Sequence, residues 1–569
     1  MWSNGGHLSS DPLEIRGLWV ISQGMTSNDL PEATTFWKRR LFAANPVMRW
    51  SIQVSVVLSV VVSLPALIAR PWADERFVMY MPESLAGARP WQLVGQVIDE
   101  IPAYLDTGVF RPVSRLLFYL EHWVVVRFGA ATGIPPNVVM AAVKVLMIFA
   151  LVTMAMMTID QYRRASGGKP TEVHWRRLYG LTAVVIGVSL VLYNPAMHPL
   201  TLFPGLYLGT AALTLAVPLW FGRSWLRYRA GRPLQRMWVR VGAAVIVGAL
   251  LASMIELTYL VLPLGIIHLL LLSFASGDSW KATFLDLFHS EAFLLWALVV
   301  TGFLVVFIPT RTAINQYCAE LSCYRAAELS VGGDAVSTWP LRVGSSFFPI
   351  PQWTQVHLLK RIRSAPEFLL LAGVGAAGAW YVIQRLVIQR EGDVRGRRPR
   401  LPMALVAAYF ATVLFFATAL SAVSGGVQDR GWDISPWRET GFNWIAWAVI
   451  LAVVLTAAYD WITRDYPVLV VGITALLAGL MFVTSIVNQA DMASVRSRLD
   501  SRLYNEAGLL LVSFDNTPEG NERRCEVIQD LRDFAPNASE LRKMNLLGEF
   551  IDDAAENIYG TIYCETDSS

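Results

Sequence analysis

The chain has 569 residues, of which 54% are hydrophobic and 16% charged, with a formal net charge of +3. A soluble domain carries about 25% charged residues. This composition, with a mean hydropathy of +0.44, therefore excludes an ordinary soluble protein and indicates an α-helical polytopic membrane protein.

Residues 1–49 are polar and mixed, and the stretch before Met25 shows no helical apolar face. No A-x-A site follows the first long apolar run, so no cleavable signal peptide is expected. Eleven apolar runs then follow, at 50–69, 138–159, 179–194, 203–222, 240–257, 259–276, 292–309, 366–387, 402–424, 441–459 and 466–487. Runs of roughly 18 to 22 residues are enough to cross a ~30 Å hydrocarbon core. Between the fifth and sixth runs, "ELTYLVLP" leaves open a tight turn, a kink or a broken helix.

Lys and Arg near span ends set orientation. Lys38, Arg39, Arg40 and Arg49 precede the first run, and Arg163, Arg164, Lys169, Arg176 and Arg177 follow the second. Arg223, Arg227, Arg229, Arg232, Arg236 and Arg240 follow the fourth run; Arg385, Arg390, Arg395, Arg397, Arg398 and Arg400 follow the eighth. These connections alternate correctly, so they are expected in the cytoplasm, with the N-terminus cytoplasmic and the C-terminus extracytoplasmic. The Trp-, Arg- and Ala-rich style suggests a bacterial plasma membrane.

The domain division is a cytoplasmic segment 1–49, a membrane domain 50–487 with external loops 70–136 and 310–365, and an extracytoplasmic domain 488–569. In the first loop, "PWQLVGQVIDEIPAYL" and "FRPVSRLLFYLEHWVVVRFG" have apolar residues at helical spacing. Val113, Leu116, Leu117, Leu120, Val124 and Phe128 share one face of the second. Such helices lie in the membrane interface, with Trp91 and Trp123 as belt residues. The loop 310–365 gathers Tyr317, Tyr324, Trp339, Phe347, Phe348 and Trp353, which read either as a sugar-stacking groove or as an interface cover. The tail reads as a small α/β domain, with "AGLLLVSFD" strand-like, two helices, and a short strand near "TIYC". Cys318 with Cys323, and Cys525 with Cys564, fall on the oxidising side and are expected to form disulfides. "NAS" at 537–539 matches a glycosylation sequon, a tripeptide that also arises by chance.

The sequence "RPWADERFVMYMP" at 70–82 places two carboxylates, Asp74 and Glu75, just past the first span. Span, acidic pair, two interfacial helices, then a second span: over roughly residues 50–310 this layout resembles the GT-C superfamily of polytopic, polyprenyl-phosphate-sugar-dependent glycosyltransferases. The element "DTGVFRPVSRLLFYL" is similar to the "GR-x-RP-LS" segment of several of its branches. The resemblance implies a GT-C-like membrane domain with Asp74 as the catalytic acid, Glu75 as the second choice, and Arg111 near a phosphate or sugar. The chain departs from relatives that carry a tandem Asp pair or a further acidic motif in a later loop; only "MIELTYL" and "GGDAVSTW" stand in for these.

The residues support that chemistry independently. Transfer from a lipid-phosphate sugar needs a base for the acceptor hydroxyl and cations for the departing phosphate. A carboxylate at the outer interface supplies the first; Arg76, Arg111 and Arg115 are the nearest cations in sequence. One acid with a departing phosphate fits inversion. The plainer reading of Asp74 is a solvated cap beside Arg70 and Arg76.

Lys144 reads as a snorkelling residue or as a phosphate contact, and His198 as a cavity histidine or a loop histidine. Asp106 and Glu256 are further cavity candidates; His122 reads as interfacial. No metal-ligand cluster, H-E-x-x-H or G-x-x-x-x-G-K-[ST] occurs, so no metal site is assigned, although a divalent cation stays open as a cofactor. The expected partners are a polyprenyl-phosphate sugar donor, membrane lipid and an envelope glycan, glycolipid or protein acceptor, with no nucleic acid. The competing readings are a transporter or flippase of a lipid-linked intermediate and a non-catalytic scaffold of envelope assembly.

Overall fold

The computed structural model describes residues 45–69, 78–87, 89–190, 192, 198–232, 237–277, 280–320, 330–347, 368–388, 400–428, 438–496 and 499–565. Among them, nine helices are long and apolar enough to cross a membrane. The chain is a helical polytopic membrane protein.

α1 (Pro46–Leu67) starts where the Asn45 side chain accepts a hydrogen bond from the Met48 amide at 3.0 Å, an N-cap that satisfies an otherwise orphaned donor. Ser51, Ser55, Ser59 and Ser63 form a buried stripe at four-residue spacing. Small side chains on one face let backbones approach closely in a bilayer. α1 packs on α5 (Pro136–Ala165) and α6 (Val173–Ser189). Between α1 and α5 come a short α2 (Met81–Ala86), α3 (Gln92–Asp106) and α4 (Pro112–Thr132). α7 (Pro204–Arg229) packs on α5.

Two of the expected spans are short helices. α6 has 17 residues and α8 (Met237–Ala252) has 16. α6 stops at Ser189, and the polar backbone beyond it is satisfied by Asn488, which donates to the Leu190 carbonyl at 2.8 Å and accepts from the Leu192 amide at 2.9 Å. α8 stops at a tight break: Thr258 Oγ1 donates to the Leu251 and Ile255 carbonyls, and a 3-10 turn, Glu256–Leu260, leads into α9 (Val261–Ala275). The "ELTYLVLP" ambiguity therefore resolves as a tight turn. α10 (Trp280–Phe288) precedes α11 (Glu291–Glu320), which meets α8 so closely that a Cβ on Gly248 would lie 2.1 Å from the Val299 carbonyl oxygen. A Cβ on Gly302 would lie equally close, 2.1 Å, to that of Val245.

α12 (Gly333–Ser345) lies in the former loop 310–365, whose first part is the end of α11. Its aromatics are used in packing. Trp339 Nε1 donates to Thr418 Oγ1 at 3.0 Å, and Phe347 meets Trp447 edge-on at 4.5 Å, which favours the interface-cover reading for these two. Tyr324, Phe348 and Trp353 lie outside the described residues. α13 (Phe368–Val382), α14 (Arg400–Ala422), α15 (Thr440–Asp465) and α16 (Pro467–Arg496) complete the bundle.

At one pole Asp160 is a buried hub that accepts from Asn45, Arg163, Arg164 and Tyr179. The basic last turns of α5 (Arg163, Arg164) and α7 (Arg227, Arg229) lie at this end. At the other pole sit α2–α4 and the tail.

The tail corrects the α/β expectation. It consists of α17 (Leu499–Val512), α18 (Pro518–Asp533) and α19 (Ala538–Tyr559), with no strand among its described residues. The apolar run "AGLLLVSFD" is helical as far as Val512 because Leu503, Tyr504, Ala507 and Leu511 together make one buried face; a short apolar run cannot show its period by itself. The Cys525–Cys564 disulfide forms as expected. Cys318 is also disulfide-bonded, while Cys323 lies outside the described residues. The tail shares a core with the first loop and α5 through Met79, Tyr80, Val125, Val126 and Met140.

Candidate functional site

α3 and α4 form a helical hairpin whose turn uses Gly108 at φ 79°, a left-handed conformation that costs glycine little. α4 is inverted relative to a soluble amphipathic helix. Leu117, Val124 and Phe128 are about half exposed, at 50%, 51% and 51%, whereas Ser114, Tyr119 and His122 are buried. One apolar stripe therefore points outward, as an interfacial helix requires, while a mixed side that also carries Phe118, Val125 and Val126 is folded against the protein. His122 is thus not interfacial: Nδ1 lies 2.9 Å from the Phe118 carbonyl and the ring packs on Phe118.

The pocket between this hairpin and the start of α7 has a volume of about 270 Å³ and is lined by Val78, Val97, Ile101, Tyr104, Val109, Phe110, Arg111, Pro112, Ser114, Arg115, Phe118, Phe203, Leu206 and Tyr207. Its wall is mainly apolar and aromatic, with two guanidinium groups. Arg111 donates to Glu256 Oε1 from Nε at 3.0 Å and from Nη2 at 2.6 Å. Arg115 lies over the rings of Tyr104 and Tyr119, 4.7 and 5.1 Å from their centroids, a cation–π arrangement. Its Nε reaches Glu100 Oε2 at 3.5 Å. Glu100 is itself held by the Tyr119 hydroxyl at 2.9 Å and by Gln96 at 3.0 Å. Burial and the Glu100 carboxylate push the Tyr119 phenol well above its ordinary value, so it stays a hydroxyl donor.

The pocket is pinned on two sides. The Val113 amide donates to the Ser253 carbonyl at 3.0 Å, and the Ile255 amide donates to Ser114 Oγ at 2.9 Å. This fixes the first turn of α4 to the break after α8. Opposite, Phe203 has φ 52°, the sole non-glycine residue in the left-handed region among the described residues. Such strain in a bulky residue persists only where the surroundings enforce it; here the ring stands edge-on to Phe118 at 5.1 Å. The next turn begins α7, where the Gly205 amide donates to Glu121 Oε1 at 3.2 Å. A carboxylate at a helix N-terminus is favoured by the helix dipole.

Of the expected site residues, Arg111, Arg115 and Glu256 come together. Asp74, Glu75 and Arg76 lie outside the described residues, but Val78, two residues past Arg76, lines the pocket. Asp106 is exposed at the end of α3. Lys144 does not snorkel: it is 1% exposed, and Nζ donates to the Ala66 and Ala69 carbonyls at 3.0 and 3.1 Å, capping the end of α1. His198 is buried, not in the pocket wall. Its Nδ1 accepts from the Leu200 amide at 3.1 Å, and burial pushes its pKa down to about 3, so the ring is neutral.

Sequence reasoning missed Glu100, Tyr104, Tyr119, Phe203 and Tyr207. Residues 100 and 104, and 111, 115 and 119, recur every four positions, so each set shares a helix face; that ladder was the available signal. Among the described residues no group of three metal-ligating side chains forms. In comparisons with known proteins, no family model matches the chain and no curated protein is significantly similar to it.

Proposed function

We propose that the chain is a membrane glycosyltransferase of GT-C type, acting on the outer face of a bacterial plasma membrane. It takes a sugar from a polyprenyl-phosphate donor and delivers it, with inversion, to an envelope glycan, glycolipid or protein. The observation that carries this reading is the pocket beneath the interfacial hairpin. Its apolar wall suits a prenyl chain, its two guanidinium groups suit a phosphate, and Val78, four residues past Asp74 in sequence, lines it. The orientation is supported by the disulfides, which persist on the oxidising side, and by the basic helix ends at the opposite pole.

In the proposed reaction the Asp74 carboxylate takes the proton of the acceptor hydroxyl. The hydroxyl oxygen bonds to the anomeric carbon from the face opposite the phosphate. The C1–O bond breaks, and its electron pair leaves with polyprenyl phosphate, whose charge Arg111 and Arg115 balance.

The test is genetic. A deletion strain is complemented with wild type, Asp74→Asn and Arg111→Gln at matched membrane levels, and envelope glycan linkages are compared. The reading expects both variants to reproduce the sugar missing from the deletion strain. If the deletion alters glycans while both variants restore them, the transferase reading fails and a transporter or scaffold takes its place.

A further inference from the structure

The two pocket arginines are held in different ways. Arg115 is locked between two aromatic rings, and its counter-ion Glu100 is occupied by Tyr119 and Gln96. Among the described residues Arg111 has one acidic partner, and both of its bonds fall on a single oxygen of Glu256. The pair is more open: the Glu256 side chain is 34% exposed and that of Arg111 is 19% exposed. Among the described residues Arg111 is the one side chain that hydrogen-bonds or ion-pairs with Glu256, while the Tyr259 phenol lies within its electrostatic reach. The backbone around it does not need to move to release it, since Ile255 and Ser253 are pinned to the first turn of α4.

We propose that Glu256 is an exchangeable counter-anion of Arg111, displaced by the headgroup of an anionic prenyl lipid and returning to expel it. The proposal rests on the donor-site reading above. Charge gives the reason for such a device. A prenyl-phosphate sugar is a phosphodiester with one negative charge, whereas the prenyl phosphate left after transfer is a monoester of about −1.5 to −2. Two guanidinium groups in a partly apolar pocket hold the product more tightly than the donor. A carboxylate tethered beside one of them competes for it and shortens the product's stay. Arg115 then anchors either lipid, and Arg111 is the cation whose partner changes. Glu256 is thus a positioning residue, acting on the ligand through Arg111.

The test uses full-length protein in nanodiscs and farnesyl phosphate as the probe, with binding followed by intrinsic tryptophan fluorescence. Glu256→Gln removes the competing charge, so it should bind the probe several-fold, up to about fivefold, more tightly than wild type. Arg111→Gln should bind more weakly than wild type, and adding Glu256→Gln to it should change nothing further. A merely structural role for Glu256 would weaken binding in both backgrounds. Should Glu256→Gln melt early, Glu256→Ala carries the same comparison. Equal or weaker binding by the Glu256 variants overturns counter-ion exchange while leaving the donor site standing, provided that Arg111→Gln still loses affinity. Unchanged binding in both Arg111→Gln and Arg115→Gln overturns the donor site itself.

Discussion

Raising the pH should loosen the clasp between the first loop and the tail, through Glu83. This residue lies on α2, fully buried beside Arg127 of α4, yet neither carboxylate oxygen receives an aligned hydrogen bond. Burial outweighs the guanidinium and lifts its pKa from the ordinary 4.5 to about 7. The surrounding groups come from α19: Asn557 donates to the Glu83 carbonyl at 3.1 Å, and Ser84 donates to Asp553 at 2.5 Å. A group whose pKa is raised on folding stabilises fully below its unfolded value and loses that contribution as pH rises through its folded value. For Glu83 the window runs from about 4.5 to about 7, and the shift corresponds to about 3 kcal/mol at about 1.4 kcal/mol per pH decade. Asp552, also raised chiefly by burial, adds in the same direction. Hydrogen exchange of residues 81–86 and 538–559, corrected for intrinsic rates, should show protection falling between pH 5 and pH 8. Glu83→Gln should flatten most of that fall. Equal or greater protection at pH 8 in the wild type, or an unchanged slope in Glu83→Gln, would refute the reasoning.

Three further outcomes follow from the packing. Cys525→Ser opens a crosslink spanning 39 residues, which by chain entropy costs about 4 kcal/mol; the tail should melt before the bundle, with exchange in α18 rising first. Gly248→Leu places a side chain against the Val299 carbonyl, 2.1 Å from the Cβ position, so detergent-extracted protein should lose several kcal/mol of stability by the overpacking argument and show a lower melting temperature. Lys144→Met leaves the Ala66 and Ala69 carbonyls without this donor, at a cost of about 1–3 kcal/mol. It should raise protease sensitivity at the end of α1.

The membrane class was legible because hydropathy reports directly on whether a segment can cross a bilayer. The count was less so. α6 and α8 are apolar over an expected span, but the end of α6 is completed by Asn488, 298 residues away from Leu190, and that of α8 by the hydroxyl of Thr258, a local polar break that a hydropathy window averages out. The hairpin of the first loop was legible as two helices, yet α4 leaves Leu117, Val124 and Phe128 exposed, the pattern expected of a helix that lies at a lipid surface. The tail strand failed for a different reason: an apolar run of nine residues fits either period, and only its neighbours on Tyr80 and Val527 select the helix. In the site, Arg111 could be named from its motif, but its pairing with Glu256 spans 145 residues of sequence and has no local signature. Lys144 looked exposed because its partners are carbonyls, which a sequence never displays as ligands.

The central claim is that the pocket under the α3–α4 hairpin holds a prenyl-phosphate lipid. Native mass spectrometry of protein extracted gently from its own membrane tests this most directly. The account predicts a co-purifying prenyl-phosphate species on the wild type that is absent from the Arg111→Gln/Arg115→Gln double variant. A species retained by the double variant, or wild-type protein carrying only bulk phospholipid, would contradict it.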